Sequence, residues 1–395
     1  MVTRTTTRDR RPIGRRCQAL ALGCVLSLLS TPAAHAQEFA LELQGGAVAT
    51  FPHHSLMNTG DRVTIEAWVR STGTPVVGDF TFFLRYSGSK EHKSLTLGPN
   101  GEIRWIYAGS PWGQPSPCVE TGPGVFPMDG TWNHVAFVRH LNGDWETYLN
   151  GSVVASGTLT TCCWITCSII NASTDTVMIG TTGWQLLSMR VSGIDRYSGA
   201  FTPIKCWTPD SSTVLQLNLD EGAGSTLVDV SQTNQLGTIT GPYAWVPEPV
   251  VSSYCTAGTS ASGCTATLAA SGCASASQTS GFVVSAQGVE GSRNGLLVLG
   301  ASGRQAMPWG NGSSYQCVTP PLGRGKLMSS GGTRGQCDGT FVQDLNALWC
   351  PSCPGSATNP GVGAVVQAQV WYRDPWNTSN QTTSLSDAIE FAMEP

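Results

Sequence analysis

The sequence predicts an all-β protein made of two sandwiches, and three observations carry that prediction. Short runs alternate apolar and polar residues with a period of two, Asn-Gly pairs separate some of those runs, and only 12% of the chain is charged. A period of two sends successive side chains to opposite sheet faces. Asn-Gly is the sharpest short hairpin signal, because a type I′ turn needs positive φ at both central residues. The charged fraction is about half the usual share, and the surplus of Gly, Ser and Thr fits an exported protein that faces water with hydroxyls and amides.

Residues 1–36 read as a secretory leader and are set apart from the fold. Arg4, Arg8, Arg10, Arg11, Arg15 and Arg16 make a basic start, Ala19 to Leu29 is apolar but too short to span a bilayer, and Ala34-His35-Ala36 is a cleavage signal. Cleavage after Ala36 is expected, with the mature chain secreted or at the cell surface. No later run is long enough to be a transmembrane helix. Beyond the leader the chain is mildly acidic with no Lys/Arg block, which speaks against nucleic acid as a partner.

Phe39 to Phe51 alternates around Gly45-Gly46, as a strand, turn and strand would. Arg62 to Arg70 sets Val63, Ile65, Ala67 and Val69 against Thr64, Glu66 and Trp68. Asp79 to Tyr86, Ser94 to Leu97 and Gly101 to Tyr107 are further strands. An irregular, proline-rich insertion comes next, Ala108 to Met128, carrying Trp112 and Cys118. From Gly130 to Gly157 the pattern predicts a three-stranded meander, with turns at Asn142-Gly143 and Asn150-Gly151. In its first strand Val135, Phe137 and Arg139 share one face, and His134, Ala136 and Val138 the other. A second odd stretch, Thr160 to Ser173, bears Cys162, Cys163, Trp164 and Cys167; Thr176 to Gly180 returns to strand.

The segments TIEAWVR (64–70), TWNHVAFVR (131–139), YLNG (148–151), MIG (178–180), RVSGIDRYSGAFTP (190–203) and LNLDEGAGSTLVDVS (217–231) occur in an order that resembles the laminin-G-like jelly roll of the concanavalin A-like lectin and glucanase superfamily. The resemblance covers about residues 40–247. It departs from the family at Gly45-Gly46, where Gly-x-Asp-Asp often stands. The resemblance implies a sandwich that binds ligands, with calcium as the one metal it suggests; Asp129, Asp144 and Asp175 flank the central strands. No cofactor is required.

The prolines of Val246 to Val250 mark the best boundary. The expected organisation is a jelly roll at 37–247, a linker at 248–253 and a smaller disulfide-bearing β domain at 254–395. In the last, Gly281 to Ala286, Gly295 to Gly300, Gln316 to Thr319, Gly339 to Asn346 and Val365 to Tyr372 read as strands between Gly-rich turns. Its YCTA, WYRDP and LSDAIEF segments resemble a C-terminal domain appended to exported bacterial proteins.

Of the 14 cysteines, Cys17 and Cys24 leave with the leader. Cys118, Cys162, Cys163, Cys167 and Cys206 precede the boundary; Cys255, Cys264, Cys273, Cys317, Cys337, Cys350 and Cys353 lie beyond it. An even set in an exported chain is a disulfide framework. Odd numbers on both sides require free thiols, a bridge between the halves, or one to another chain. Cys350-Pro-Ser-Cys353 reads as a local disulfide.

Catalysis is not expected. Retaining glucanases need two carboxylates about 5 Å apart on one face, whereas Glu66 stands alone in its strand and adjacent Asp220-Glu221 would point apart. No Gly-x-Ser-x-Gly elbow presents a nucleophile, and no histidine spacing suits a metal. Trp68, Trp132, Trp145 and Trp207 are expected in packing roles. Trp112 and Trp164 lie in the cysteine-bearing insertions, and a bridge from Cys118 to Cys162 or Cys163 would join them in one rim, where the two rings either cover a mini-core beneath the loops, the favoured reading, or face a ligand. Trp371 to Trp376 (WYRDPW) is expected to form a salt-bridged turn. The reading is a non-catalytic protein that binds an extracellular glycan or a surface protein. The alternatives are a structural surface protein and, further off, a polysaccharide-acting enzyme. Sequence leaves the oligomeric state open.

Overall fold

The computed structural model describes Met1 and residues 37–394, apart from 60–61, 74–79, 88–90, 109–116, 159–175, 181–182, 310–312, 351–356 and 378–381. The protein is all-β, a jelly roll followed by further antiparallel sheets. The first strands are Gln37–Leu43 (β1), Val48–Phe51 (β2), Val63–Ser71 (β3), Phe80–Ser87 (β4), Glu91–Leu97 (β5), Ile103–Ala108 (β6), Pro117–Glu120 (β7) and Asn133–Arg139 (β8). Then come Asp144–Leu149 (β9), Ser152–Thr158 (β10), Val177–Gly180 (β11), Trp184–Ser192 (β12), Thr213–Leu217 (β13), Thr226–Val228 (β14), Leu236–Thr240 (β15) and Tyr243–Pro249 (β16). The front sheet runs β10-β9-β8-β3-β12-β1-β16, with β13 beside β12; the back sheet runs β14-β15-β2-β11-β4-β5-β6-β7.

Alternation builds the core between them. Ile65, Ala67 and Val69 of β3 and Val135 and Phe137 of β8 point inward, against Leu95 and Leu97 of β5 and Trp105 of β6. Trp105 stacks on Phe137 at 4.2 Å between centroids. Each such buried side chain stabilises the fold by about 1.5–3 kcal/mol. The meander β8-β9-β10 forms as expected. Its two turns differ, however. Asn150 and Gly151 both have positive φ, +49° and +77°, and make the two-residue turn. At the other turn only Gly143 does, in a longer loop closed by His140 N–H donating to Asp144 O. Gly45 and Gly46 do not close a hairpin either: they carry the chain from β1 in one sheet to β2 in the other.

The second module begins with Ser252–Tyr254 (β17), Thr267–Gly272 (β18), Phe282–Val289 (β19), Asn294–Gly300 (β20), Arg304–Pro308 (β21) and Tyr315–Val318 (β22). It continues with Gly323–Arg324 (β23), Met328–Ser329 (β24), Gly339–Asp344 (β25), the helical turn Leu345–Trp349 (α1), Val365–Arg373 (β26) and Thr383–Ala392 (β27). A six-stranded sheet, β17-β27-β26-β20-β23 with β24 beside β20, faces the three-stranded β18-β19-β25 across a second core that includes Leu268, Phe282, Leu297, Phe341, Val370 and Ile389. The strand expected through Asn346 stops at Asp344, whose carboxylate accepts the Ala347 N–H and caps α1. Residues 248–253, the expected linker, are strand at both ends, with Val250 and Val251 between β16 and β17.

Three bridges are seen in full: Cys206–Cys273, Cys255–Cys317 and Cys264–Cys337. The first accounts for the odd counts, since it ties the jelly roll to the second module. Gln278 Nε2 donates to Cys206 O beside it. Cys350 is also disulfide-bonded. Cys162, Cys163, Cys167, Cys353 and the side chain of Cys118 lie outside the described residues.

Candidate functional site

The one acid that stands alone in β3 is the centre of a closed cluster. Glu66 projects away from the core, where β12 sets Arg190 directly opposite it and β8 places His134 on the diagonal. Arg190 Nε donates to Glu66 Oε1 at 2.8 Å, Tyr197 Oη donates to Oε2 at 2.7 Å, and His134 Nε2 lies 3.1 Å from Oε2. Glu66 and His134 have no exposed surface. Burial pushes the Glu66 carboxyl up, but the hydrogen bond from His134, the charge of Arg190 and the Tyr197 hydroxyl outweigh it and hold it below the usual range.

What seals the cluster is residues 193–212, which leave β12 and return to β13 across the outer face of the front sheet. Thr64 Oγ1 donates to Ile194 O, Trp68 Nε1 to Ile204 O, and Phe201 N–H to Gly151 O. Tyr197 stacks on Phe201 at 3.6 Å, over Ala136, Val138 and Tyr148. Arg190 lies 4.9 Å from the Trp207 ring, and Arg196 forks onto Asp210 at 2.8 and 2.9 Å. Gly151 matters twice: its φ is positive, and a Cβ there would meet Phe201 O at 1.8 Å. A carboxylate shut in this way, whose hydrogen-bond partners among the described residues are Arg190, Tyr197 and His134, lacks the access and the paired acid that glycoside hydrolysis needs.

With its outer face covered over β8, β3 and β12, the front sheet also offers its ends. Thr158 closes β10 opposite Asp144, Ala108 closes β6 opposite His92, and Val177 opens β11 opposite Arg85. Phe80, which opens β4, meets Trp184, which opens β12, at 5.9 Å and marks the opposite end of both sheets. Trp105 of β6 lies over Phe137 of β8, so the β10 edge of one sheet is stacked on the β6-β7 edge of the other. Both insertions therefore start from a single corner of the sandwich: residues 109–116 join β6 to β7, which carries Cys118 and interrupts the stretch expected to be irregular, and residues 159–175 leave β10 for β11. Trp112 and Trp164 themselves lie outside the described residues, as does the expected bridge from Cys118.

The other candidates resolve individually. Trp68 and Trp132 are half-buried, Trp132 donating to Glu248; Trp145 packs on the core and Trp207 is buried under the cap. Asp129 accepts from Thr131 N and Oγ1, and Asp144 from Asn142 and Thr158, so both serve turns; Asp175 is not among the described residues. Among those, no three His, Cys, Asp or Glu gather as a metal cage. Glu221 accepts the Val228 N–H, and burial raises its carboxyl. The turn after Arg373 is fixed without an ion pair: Asp374 accepts from Ala261 N, Asn377 Nδ2 and Ser384 Oγ, while Arg373 lies 5.4 Å from the Trp371 ring. All three bonds reach Asp374 Oδ2, while its Oδ1 is buried without a hydrogen-bond partner, and among the described residues no cation forms the expected salt bridge.

Sequence reasoning missed His134, Arg190 and Tyr197 as Glu66's partners. The available signal was an acid on the outward side of a central strand whose neighbours on that side, Thr64 and Trp68, are apolar or small.

Residues 43–203 match the family model described as the concanavalin A-like lectin/glucanases superfamily. No curated protein matches the chain. Among solved structures, a native heptameric SAP-like pentraxin from Limulus polyphemus is 12% identical, with 40% of this chain and 78% of that one covered and a TM-score of 0.29. The CBM40 of the Ruminococcus gnavus IT-sialidase bound to α2,3-sialyllactose is 13% identical over 42% of this chain and 95% of that one, at a TM-score of 0.31. The binding domain of botulinum neurotoxin DC in complex with rat synaptotagmin II is 8% identical over 90% of this chain and 89% of that one, at a TM-score of 0.30.

Proposed function

We propose that the chain is an exported, non-catalytic binding protein that recognises an extracellular glycan or a surface protein through the loops at the β6/β10 corner of its jelly roll. The observation that carries this reading is the common origin of the two insertions bearing Trp112 and Trp164. Loops on a rigid scaffold are where recognition sites are built, and an indole offers a flat apolar face with a polar edge, suited to sugar rings and to protein side chains alike. The closed state of Glu66 supports the absence of glycoside hydrolysis, and the disulfides support an oxidising compartment.

The test is a glycan array probed with the full disulfide-bonded chain, with and without calcium, beside the variants Trp112→Ala and Trp164→Ala. The bridge between modules makes the whole chain the proper reagent. Binding that either substitution reduces by at least about tenfold, with unchanged thermal unfolding, supports the corner. Binding that survives both substitutions places recognition elsewhere.

A further inference from the structure

The second module holds a cavity of about 360 Å³ on the outward face of its six-stranded sheet. Its walls are Trp309 and Trp371 with Leu296 and Leu385, on the side of the sheet away from the Leu297 and Val370 core. Above them stands the β21-β22 hairpin, fastened by the Cys255–Cys317 bridge and by Cys317 N–H donating to Gln369 Oε1 at 3.0 Å. Trp309 is set in place by its Nε1 donating to Thr383 Oγ1 at 2.9 Å. The volume falls in the range of small-molecule sites, about 300–1,000 Å³.

Gln316, Gln369 and Arg324 are the polar side chains of the lining, and of these Arg324 alone carries charge. Gln369 is consumed by the frame, since its Nε2 donates to Tyr315 O and Ser386 O. Arg324, exposed on β23, is different. The other arginines of this module are engaged: Arg293 with Glu290, Arg304 with Glu390, Arg334 on Trp376 and Arg373 on Trp371. Arg324 has no acid, carbonyl or ring partner among the described residues. A largely apolar cavity lined by two indoles, with one uncompensated guanidinium in its lining, is complementary to an apolar body carrying one anion. Guanidinium pairs with carboxylate through two parallel hydrogen bonds.

We propose that this cavity is a binding site for a small apolar monocarboxylate, its ring or branched chain held against Trp309 and Trp371 and its carboxylate on Arg324. The site is separate from the jelly-roll corner and does not depend on it. Titration calorimetry and tryptophan fluorescence on the full disulfide-bonded chain test it with 3-phenylpropionate, indole-3-acetate, octanoate and the amide of the first. At least one acid is expected to bind one-to-one with Kd below about 1 mM, and the amide to bind at least about tenfold more weakly than its acid. Arg324→Gln should bring the acid down to the amide's level with unchanged thermal unfolding, and Trp371→Leu should weaken acid and amide together. No binding by any of the acids, equal binding of acid and amide, or an Arg324→Gln variant that binds like the parent overturns the proposal.

Discussion

Glu66 is the residue on which the jelly roll's outer face turns. It and Arg190 are a buried ion pair, and removing one member of such a pair costs about 3–5 kcal/mol because the other is left uncompensated. Glu66→Leu is therefore expected to lose that much stability in denaturant unfolding, and Glu66→Leu with Arg190→Met to recover only part of it, because Tyr197 Oη and His134 Nε2 still lose their partner. Its folded pKa is lowered, so the carboxylate contributes stability above its unfolded value of 4.5, lost as pH falls through the folded value. Asp387 of β27 has the opposite sign. It accepts the Leu268 N–H at 2.7 Å, and burial pushes its pKa up to about 6. Its contribution is complete below the unfolded value of 3.8 and is lost as pH rises through about 6. Relative to the parent, Asp387→Asn should gain thermal stability as pH rises from about 4 to about 7. A melting difference that stays flat over that window would contradict the assignment.

At the scale of elements, residues 193–212 are what the period-two pattern could not foresee. Alternation in β3 and β8 gave the correct inward set, Val63, Ile65, Ala67 and Val69 with Val135 and Phe137. It left open what meets the other face, where Thr64, Glu66 and His134 are fully buried. Alternation reports which residues share a face, not whether a loop later covers it. Strand β27 was hidden for a related reason: Ser384, Ser386 and Asp387 stand where β-branched residues would announce a strand, and they serve hydrogen bonds with Val370, Asp374 and Leu268. Gly151 tests the cap directly. Gly151→Ala meets a left-handed backbone cost of about 1–2 kcal/mol and a collision with Phe201 O. Faster limited proteolysis within 193–212 is expected, together with a loss of stability beyond the backbone cost alone.

Across the whole molecule, cysteine parity was the most productive sequence signal and Cys206–Cys273 its resolution. Parity shows that a bridge can cross a boundary without naming its ends, because the pairing depends on where a covering loop meets β18. The bridge closes 67 residues of chain, for which chain entropy alone gives about 4 kcal/mol. Cys206→Ser with Cys273→Ser should lower the unfolding free energy by an amount of that order while each core persists. The inward faces and the three-stranded meander were legible because burial and turn geometry are local. The proposed binding corner was legible only as two odd, tryptophan-bearing stretches; their common origin needed the strand order.

The most direct measurement is the array binding of the full chain beside its Trp112→Ala and Trp164→Ala variants, with the same glycans checked for cleavage. Reduced binding by either variant, with every bound glycan recovered intact, is the predicted result. A shortened glycan, or binding indifferent to both indoles, would contradict it.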